Sequence, residues 1–158
     1  MTTSKQKRIA IIGGGASGVF ASIRCAEIAM EQKIDIDIRV FETSSRLLKK
    51  VRISGGGRCN VTHNIFEVKE FCSNYPRGLK ELISPFQTFQ AANTVEWFKE
   101  KGVRLKHESD GRMFPVTNSS ETIINCFMQA ANKHEIKLLT KMNVKSLKKL
   151  ENGQISLF

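Results

Sequence analysis

The stretch Arg8-Ile9-Ala10-Ile11-Ile12-Gly13-Gly14-Gly15-Ala16-Ser17-Gly18 decides the fold. Its first five residues are an apolar run of strand length, and they feed without a linker into a glycine turn. From Ala16 to about Glu31 the period changes: Val19, Ile23, Ala26 and Met30 recur at three or four residues, as one buried helix face requires. Strand, glycine turn and helix in that order predict the opening unit of a parallel α/β sheet. A second strand, Asp35 to Glu42, follows, in which Ile36, Ile38 and Val40 alternate with Asp37 and Arg39. One of its faces is apolar and the other partly polar. That predicts a place toward a sheet edge, or beneath something other than a full helical layer.

Gly13, Gly15 and Gly18 stand at G-x-G-x-x-G spacing, and Glu42 closes the next strand 24 residues beyond Gly18. Gly13 permits the tight turn, Gly15 lets the backbone come close to a pyrophosphate, and Gly18 lets the helix pack against the sheet. The N–H groups and dipole of the helix start then stabilise the phosphates. Glu42 would accept hydrogen bonds from the adenosine ribose hydroxyls. An acid at that place disfavours a 2′-phosphate, so NAD or FAD is expected in preference to NADP.

A second cluster, Ser54-Gly55-Gly56-Gly57-Arg58-Cys59-Asn60, interrupts regular structure again after the basic stretch Arg46 to Arg52. Three consecutive glycines cost considerable backbone entropy, and a flat ligand touching the main chain would explain them. Arg58 could pair with phosphate or with charge developing on a reduced flavin, and Asn60 offers both donor and acceptor. A tight turn carrying an exposed arginine is the plainer alternative. Cys59 reads as a small residue packed beside the ligand, since no second cysteine stands at motif spacing. The four cysteines form no C-x-x-C pair and no zinc-like spacing with His63, His107 or His134, so no metal site is expected. His63 and His107 could act as acid or base in principle but read as structural or surface histidines, and no catalytic residue is assigned.

The chain of 158 residues suits one ordinary domain, and 41% hydrophobic with 25% charged residues excludes a disordered or fibrous polypeptide. No apolar run approaches the roughly 20 residues of a membrane helix. The start, Met1 to Arg8, is polar and basic and lacks a secretory cleavage site, so a cytoplasmic protein without a membrane partner is expected. Lys plus Arg number 25 against 15 Asp plus Glu, a formal charge of +10, which would favour phosphates or nucleic acid. The lysines are spread along the chain and few are interleaved with aromatics. A lysine-rich surface is therefore read in preference to a nucleic-acid site.

Further elements are legible. Thr88 to Lys101 predicts a helix presenting Phe89, Ala92, Val95, Trp97 and Phe98 to a core and stopped by Gly102. Val103 to Phe114 predicts a hairpin turning at Asp110-Gly111. Asn118 with Glu121 resembles a capping arrangement for a helix to about Asn132, with Ile124, Phe127, Met128 and Ala131 inside. A strand at Lys137 to Thr140 precedes a second hairpin, with Val144, Leu147 and Leu150 before Asn152-Gly153 and Ile155 and Leu157 after it.

The strings Ile11-Ile12-Gly13-Gly14-Gly15-Ala16-Ser17-Gly18, Lys50 through His63, Tyr75-Pro76-Arg77-Gly78 and Asp110 through Thr117 together resemble a bacterial family of FAD-dependent oxidoreductases. It is the family that includes aminoacetone oxidase-like and bile-acid dehydro-reductase-like flavoproteins. The resemblance implies an α/β, Rossmann-like FAD/NAD(P)-binding fold: a parallel sheet with helices on one side and a β-meander on the other. It further implies that Gly13, Gly15, Ala16, Ser17 and Gly18 hold the pyrophosphate and Glu42 the ribose. Lys50 and Gly55, Gly56, Gly57, Arg58, Cys59 and Asn60 would serve the flavin side, and Val144 the adenine through its backbone.

FAD is the implied cofactor, with NAD(P)H as electron donor. Members of that family are longer, so residues 1–158 are expected to be the N-terminal portion of the FAD domain, incomplete at the C-terminus and lacking the substrate domain. The expected activity is electron transfer between a reduced nicotinamide or a small organic substrate and FAD. A basic, nucleic-acid-associated flavoprotein module and a catalytically silent fragment are the rival expectations, and the edge at Ile155 to Phe158 could pair with a second copy.

Overall fold

In the computed structural model, which describes residues 6–158, the strand and the helix form as their spacing predicts. Residues 1–5, the start of the basic N-terminal stretch, lie outside the described residues. The element order is β1 (Lys7–Ile12), α1 (Ala16–Glu31), β2 (Ile36–Glu42), α2 (Lys49–Gly57), β3 (Thr62–His63), α3 (Val68–Ser73), α4 (Leu79–Thr88), α5 (Ala91–Glu100), β4 (Leu105–His107), β5 (Arg112–Pro115), α6 (Ser120–Lys133), β6 (Lys137–Thr140), β7 (Leu147–Lys149) and β8 (Ile155–Leu157). The described residues divide into two compact units, residues 6–51 with 127–158, and residues 52–126.

The first unit is built on β1, β2 and β6. The β2 strand pairs parallel with β1, Ile9 beside Ile38 and Ile11 beside Val40, and parallel with β6, Val40 beside Leu138. The order β1-β2-β6 places β2 in the middle, not at the edge expected from its polar residues. Those residues are satisfied locally. The Asp37 carboxylate accepts from Lys137 Nζ at 2.8 Å and from Arg39 at 2.7 Å, and these partners lower its pKa. Arg39 and Phe41 line a groove of about 750 Å³ with Leu147 and Leu150 near the β7–β8 hairpin. The face of β2 that bears them thus lies under a hairpin instead of a helical layer.

The α1 helix buries Val19, Ser22, Ile23, Ala26 and Ala29. Val19 and Ile23 are fully inaccessible, and burial of an aliphatic side chain of this kind contributes about 1.5–3 kcal/mol. The buried Ser22 hydroxyl donates to the Val19 carbonyl at 2.7 Å, which satisfies it within the helix. Met30, expected on this face, is 64% exposed: Ala29 completes the stripe, and the next residue is rotated about 100° away from it. Where a β-meander is expected, two strands form, β7 and β8, with Leu147 opposite Leu157. Val144 lies in the loop before β7.

The second unit holds the antiparallel sheet β3-β5-β4. The β4–β5 hairpin turns where Asp110-Gly111 predicts, Gly111 at φ +81°, and β3 adds a third strand through Thr62 and Met113. The α5 helix starts at Ala91 instead of Thr88, because Gln90 and Asn93 cap each other, the Gln90 N–H donating to Asn93 Oδ1 at 2.9 Å. Ala91, Trp97 and Phe98 are its buried residues, Ala92 and Val95 are half-buried, and Phe89 precedes the helix. Gly102, at φ +79°, ends it as expected, its N–H donating to the Lys99 carbonyl.

Thr88 instead closes α4, and neither α4 nor α3 is among the elements expected from the sequence. Leu79, Leu82, Ile83 and Phe86 do carry a helical spacing across α4, and Pro85 is accommodated inside the helix without ending it. The two helices meet through Phe71 and Phe86, ring centroids 4.9 Å apart. The α6 helix begins at Ser120, and the expected Asn118–Glu121 capping does not form. Asn118 takes a left-handed φ of +54°, and the Ser119 hydroxyl accepts from the Glu121 N–H at 3.3 Å. Ile123 takes the inner place expected of Met128, which is 36% exposed.

Candidate functional site

In the first unit the glycine turn and Glu42 are held together directly. Glu42 Oε2 accepts the Gly14 N–H at 2.8 Å, and Oε1 accepts the Ser44 N–H at 2.8 Å. The Ser44 bonds, then the Gly14 bond, and the nearby Lys49 ammonium together hold the Glu42 pKa below its ordinary value of 4.5. A carboxylate has about four lone-pair positions, so each oxygen keeps capacity for a further donor.

The glycines of this turn have separate duties. A side chain at Gly13 or Gly15 would meet nothing within 4 Å, so an open cradle lies above them, and Gly13 has φ +109°. At Gly14 a Cβ would strike Leu47 Cδ2 at 2.2 Å, and at Gly18 it would lie 1.9 Å from the Gly13 carbonyl oxygen. Gly15 caps α1 without a side-chain hydrogen bond, and the first turn of α1 carries no acidic residue. Ala16 and Ser17 stand exposed in that first turn. The helix start therefore presents amides and a positive dipole end with no anion of its own.

Two loops close on this arrangement. The Leu48 N–H donates to the Gly14 carbonyl at 2.8 Å, which fixes the segment after β2 beneath the turn. After β6, the Met142 N–H donates to the Glu42 carbonyl at 2.9 Å and Lys141 N–H to Ser44 at 3.0 Å. Thr43 Oγ1 donates to Asn143 Oδ1 at 3.2 Å. The structure thus brings the segment leading into Val144 to the end of β2 that carries Glu42. Lys50 is exposed in the first turn of α2.

The second glycine cluster, in the second unit, is a left-handed turn at the end of α2. Ser54 leaves the helix at φ −58°, ψ 142°, and Gly55, Gly56 and Gly57 follow at φ +58°, +69° and +85°. A Cβ on Gly55 would lie 2.7 Å from Phe114 Cε1 and 2.9 Å from the Asn60 nitrogen, whereas one on Gly56 would meet nothing. Cys59 is buried, at φ +65°, and burial raises its thiol pKa, so it packs as a neutral thiol. Oriented to donate, the Asn60 amide nitrogen meets the carbonyls of Thr62 at 3.0 Å and Met113 at 3.3 Å.

Arg58 is engaged by its own chain. Its Nη1 lies 2.5 Å from Glu108 Oε1 and its guanidinium carbon 4.0 Å from the centre of the Phe114 ring. Glu108 has no motif spacing to reveal it, and Phe114 could be seen only within the Asp110–Thr117 string. His63 sits against the hairpin turn, Nε2 3.0 Å from the Asp110 carbonyl, which selects the tautomer protonated there. A Cβ on Gly111 would fall 2.2 Å from the His63 ring. His107 is exposed at the end of β4.

Among the described residues, no helix is long and apolar enough to cross a membrane, and no three His, Cys, Asp or Glu side chains are placed to hold a metal ion.

The family model described as HI0933-like protein Rossmann domain matches residues 7–157. The 3-dehydro-bile acid Δ(4,6)-reductase of Clostridium scindens is 28% identical over 148 residues, which cover 92% of this chain and 34% of that protein. A ribosomal RNA dihydrouridine synthase of Haemophilus influenzae is 24% identical over 144 residues, 91% of this chain and 33% of that one. The chain spans about one third of the length of these relatives. The fold also matches a solved 3-ketosteroid-Δ4-(5α)-dehydrogenase of Rhodococcus jostii, with a TM-score of 0.63 at 14% identity, over 100% of this chain and 43% of that one.

Proposed function

The chain belongs to the HI0933-like Rossmann family, an FAD-binding family, and from that premise we propose that it is the FAD-binding part of a flavoprotein reductase. The observation that carries the proposal is the first glycine turn. It leaves an open cradle above Gly13 and Gly15, faces an uncapped helix start, and is tied by its Gly14 N–H to an ionised Glu42. These features fit a dinucleotide: the α1 amides, with Gly13, Gly15, Ala16, Ser17 and Gly18, take the pyrophosphate, and the remaining lone pairs of Glu42 take the ribose hydroxyls. The loop at Val144 offers backbone groups to the adenine.

At the flavin end, Lys50 and the turn Gly55 to Asn60 would serve the ring, on the likeness of that string to the family's. Bound FAD would supply two-electron chemistry, accepting a hydride equivalent from a reduced nicotinamide and passing it to an organic acceptor. The names of the two relatives favour one acceptor class, since Δ(4,6) reduction and dihydrouridine formation both saturate a C=C bond conjugated to a carbonyl. The chain's residues bind and orient in this scheme, and no acid or base is assigned to them.

One observation favours a second reading of the substrate. The chain carries a formal +10, and one relative acts by name on ribosomal RNA, so an RNA-borne base is the alternative to a small steroid-like molecule. Binding to RNA whose log affinity falls steeply and linearly with log salt supports it, and no binding at low salt removes it. The cofactor proposal is tested by titrating the purified protein with FAD and following flavin absorbance. Saturable one-to-one binding is expected, and an unchanged free-flavin spectrum would sink it.

A further inference from the structure

From its sequence context Arg58 is a cation available to a ligand, but one carboxylate, one carbonyl and one ring tie it down. Its guanidinium lies over Phe114, which is fully buried, its Nε is 3.4 Å from the Gly55 carbonyl, and its Nη1 meets Glu108. Glu108 Oε2 also lies 3.7 Å from Arg112 Nη2, and Arg112 Nε donates to Asp110 Oδ2 at 2.7 Å. Arg58, Glu108, Arg112 and Asp110 alternate in sign and sum to zero. Asp110 is committed to Arg112, so Glu108 is the carboxylate that balances Arg58. The pair is half-open, with 34% of the Arg58 side chain and 30% of the Glu108 side chain exposed, so a charge left unbalanced at either residue would be felt by whatever approaches the turn.

We propose that Glu108 is a positioning residue of the second glycine turn, holding Arg58 flat on Phe114 and cancelling its charge, so that the turn meets the cofactor as a rigid, neutral surface. This rests on the reading that the turn serves the flavin. A plain anion site at the turn would need a guanidinium with a free coordination edge. Here the edge is taken by Glu108 and the face by Phe114, and the ring also seats Gly55. The geometry leaves Arg58 to shape the turn and Glu108 to set its charge.

The test is the flavin midpoint potential of the FAD-loaded protein in three variants. Glu108→Gln keeps the size of the side chain and one acceptor oxygen for Arg58 but removes the balancing charge, and the potential rises because reduced, anionic flavin is stabilised. Arg58→Gln uncovers Glu108 and lowers the potential, and the double variant returns close to the parent.

A merely structural role would move both single variants the same way, and that result, or an unchanged potential in Glu108→Gln, overturns the proposal. If Glu108→Gln does not fold, Arg58→Gln against the double variant decides it by the sign of the same shift. A parent protein that binds no FAD refutes the flavin reading of the turn, and this proposal with it. FAD binding with unmoved potentials refutes this proposal alone.

Discussion

In the first glycine turn, side chains built at Gly13 and Gly15 would meet nothing within 4 Å, whereas in the second one at Gly55 would strike Phe114 and the Asn60 backbone. The first turn is shaped by its own tight φ and by a single acid, Glu42, and it leaves a helix start uncovered. The second runs through three successive left-handed glycines and is filled from below by Phe114, with Arg58 and Glu108 closing its side. Both turns mix open and packed glycines: Gly13, Gly15 and Gly56 face empty space, whereas Gly14, Gly18 and Gly55 press against the chain's own atoms. What differs is the filler, which is the backbone, Leu47 and Glu42 in the first turn and the Phe114 ring with the Asn60 backbone in the second.

The largest expected effect comes from breaking the packing glycine of the first turn. Gly18→Ala places a Cβ 1.9 Å from the Gly13 carbonyl, so α1 must shift off the sheet, costing about 2–3 kcal/mol and FAD affinity together. Denaturant unfolding and FAD titration on the same sample check it. In the second turn, Gly55→Ala combines a positive φ with the clash against Phe114 and should cost about 2 kcal/mol. Gly56→Ala has the same backbone cost without the clash, about 1 kcal/mol. Equal losses at the two positions would show that Phe114 is not the floor of the turn.

Glu42 supplies the next effect. Glu42→Gln weakens its bonds to the Gly14 and Ser44 N–H groups and to a ribose, and FAD binding should fall by roughly tenfold. The pH dependence follows from the same bonds. A carboxylate whose folded pKa lies below 4.5 contributes stability that is complete above that value and is lost as pH falls through the lowered folded value. Unfolding measured from pH 6 down to about pH 3 should show a loss confined to the acid side, and Glu42→Gln should flatten it.

The sheet, α1, the two hairpins and the first glycine turn were legible because each rests on local signals: a period, a turn pair, a glycine spacing. Of the two places expected for β2, the edge does not form, because Lys137, 100 residues away, pairs with Asp37 in the middle of the sheet, and the other does, with Arg39 and Phe41 lying beneath the β7–β8 hairpin. The α3 helix, six residues long, is too short to show a period, whereas α4 carries one through Leu79, Leu82, Ile83 and Phe86 that Pro85 masks as a breaker without breaking the helix. Arg58 was identified, but the carboxylate 50 residues away that balances it was not, since no spacing links Glu108 to the turn. Long-range pairing of charges, unlike glycine placement, leaves no mark on the sequence.

The smallest expected change in stability belongs to the open side of the first turn, and it tests the account most directly. Gly15→Ala projects a methyl group into the cradle, where it meets nothing in the protein. Denaturant unfolding and FAD titration of this variant beside the parent should show an unfolding free energy lowered by no more than about 1 kcal/mol, the cost of Ala for Gly at the N-cap, and an FAD affinity reduced by at least roughly tenfold. Unchanged FAD affinity in Gly15→Ala would contradict the assignment of that turn to a pyrophosphate.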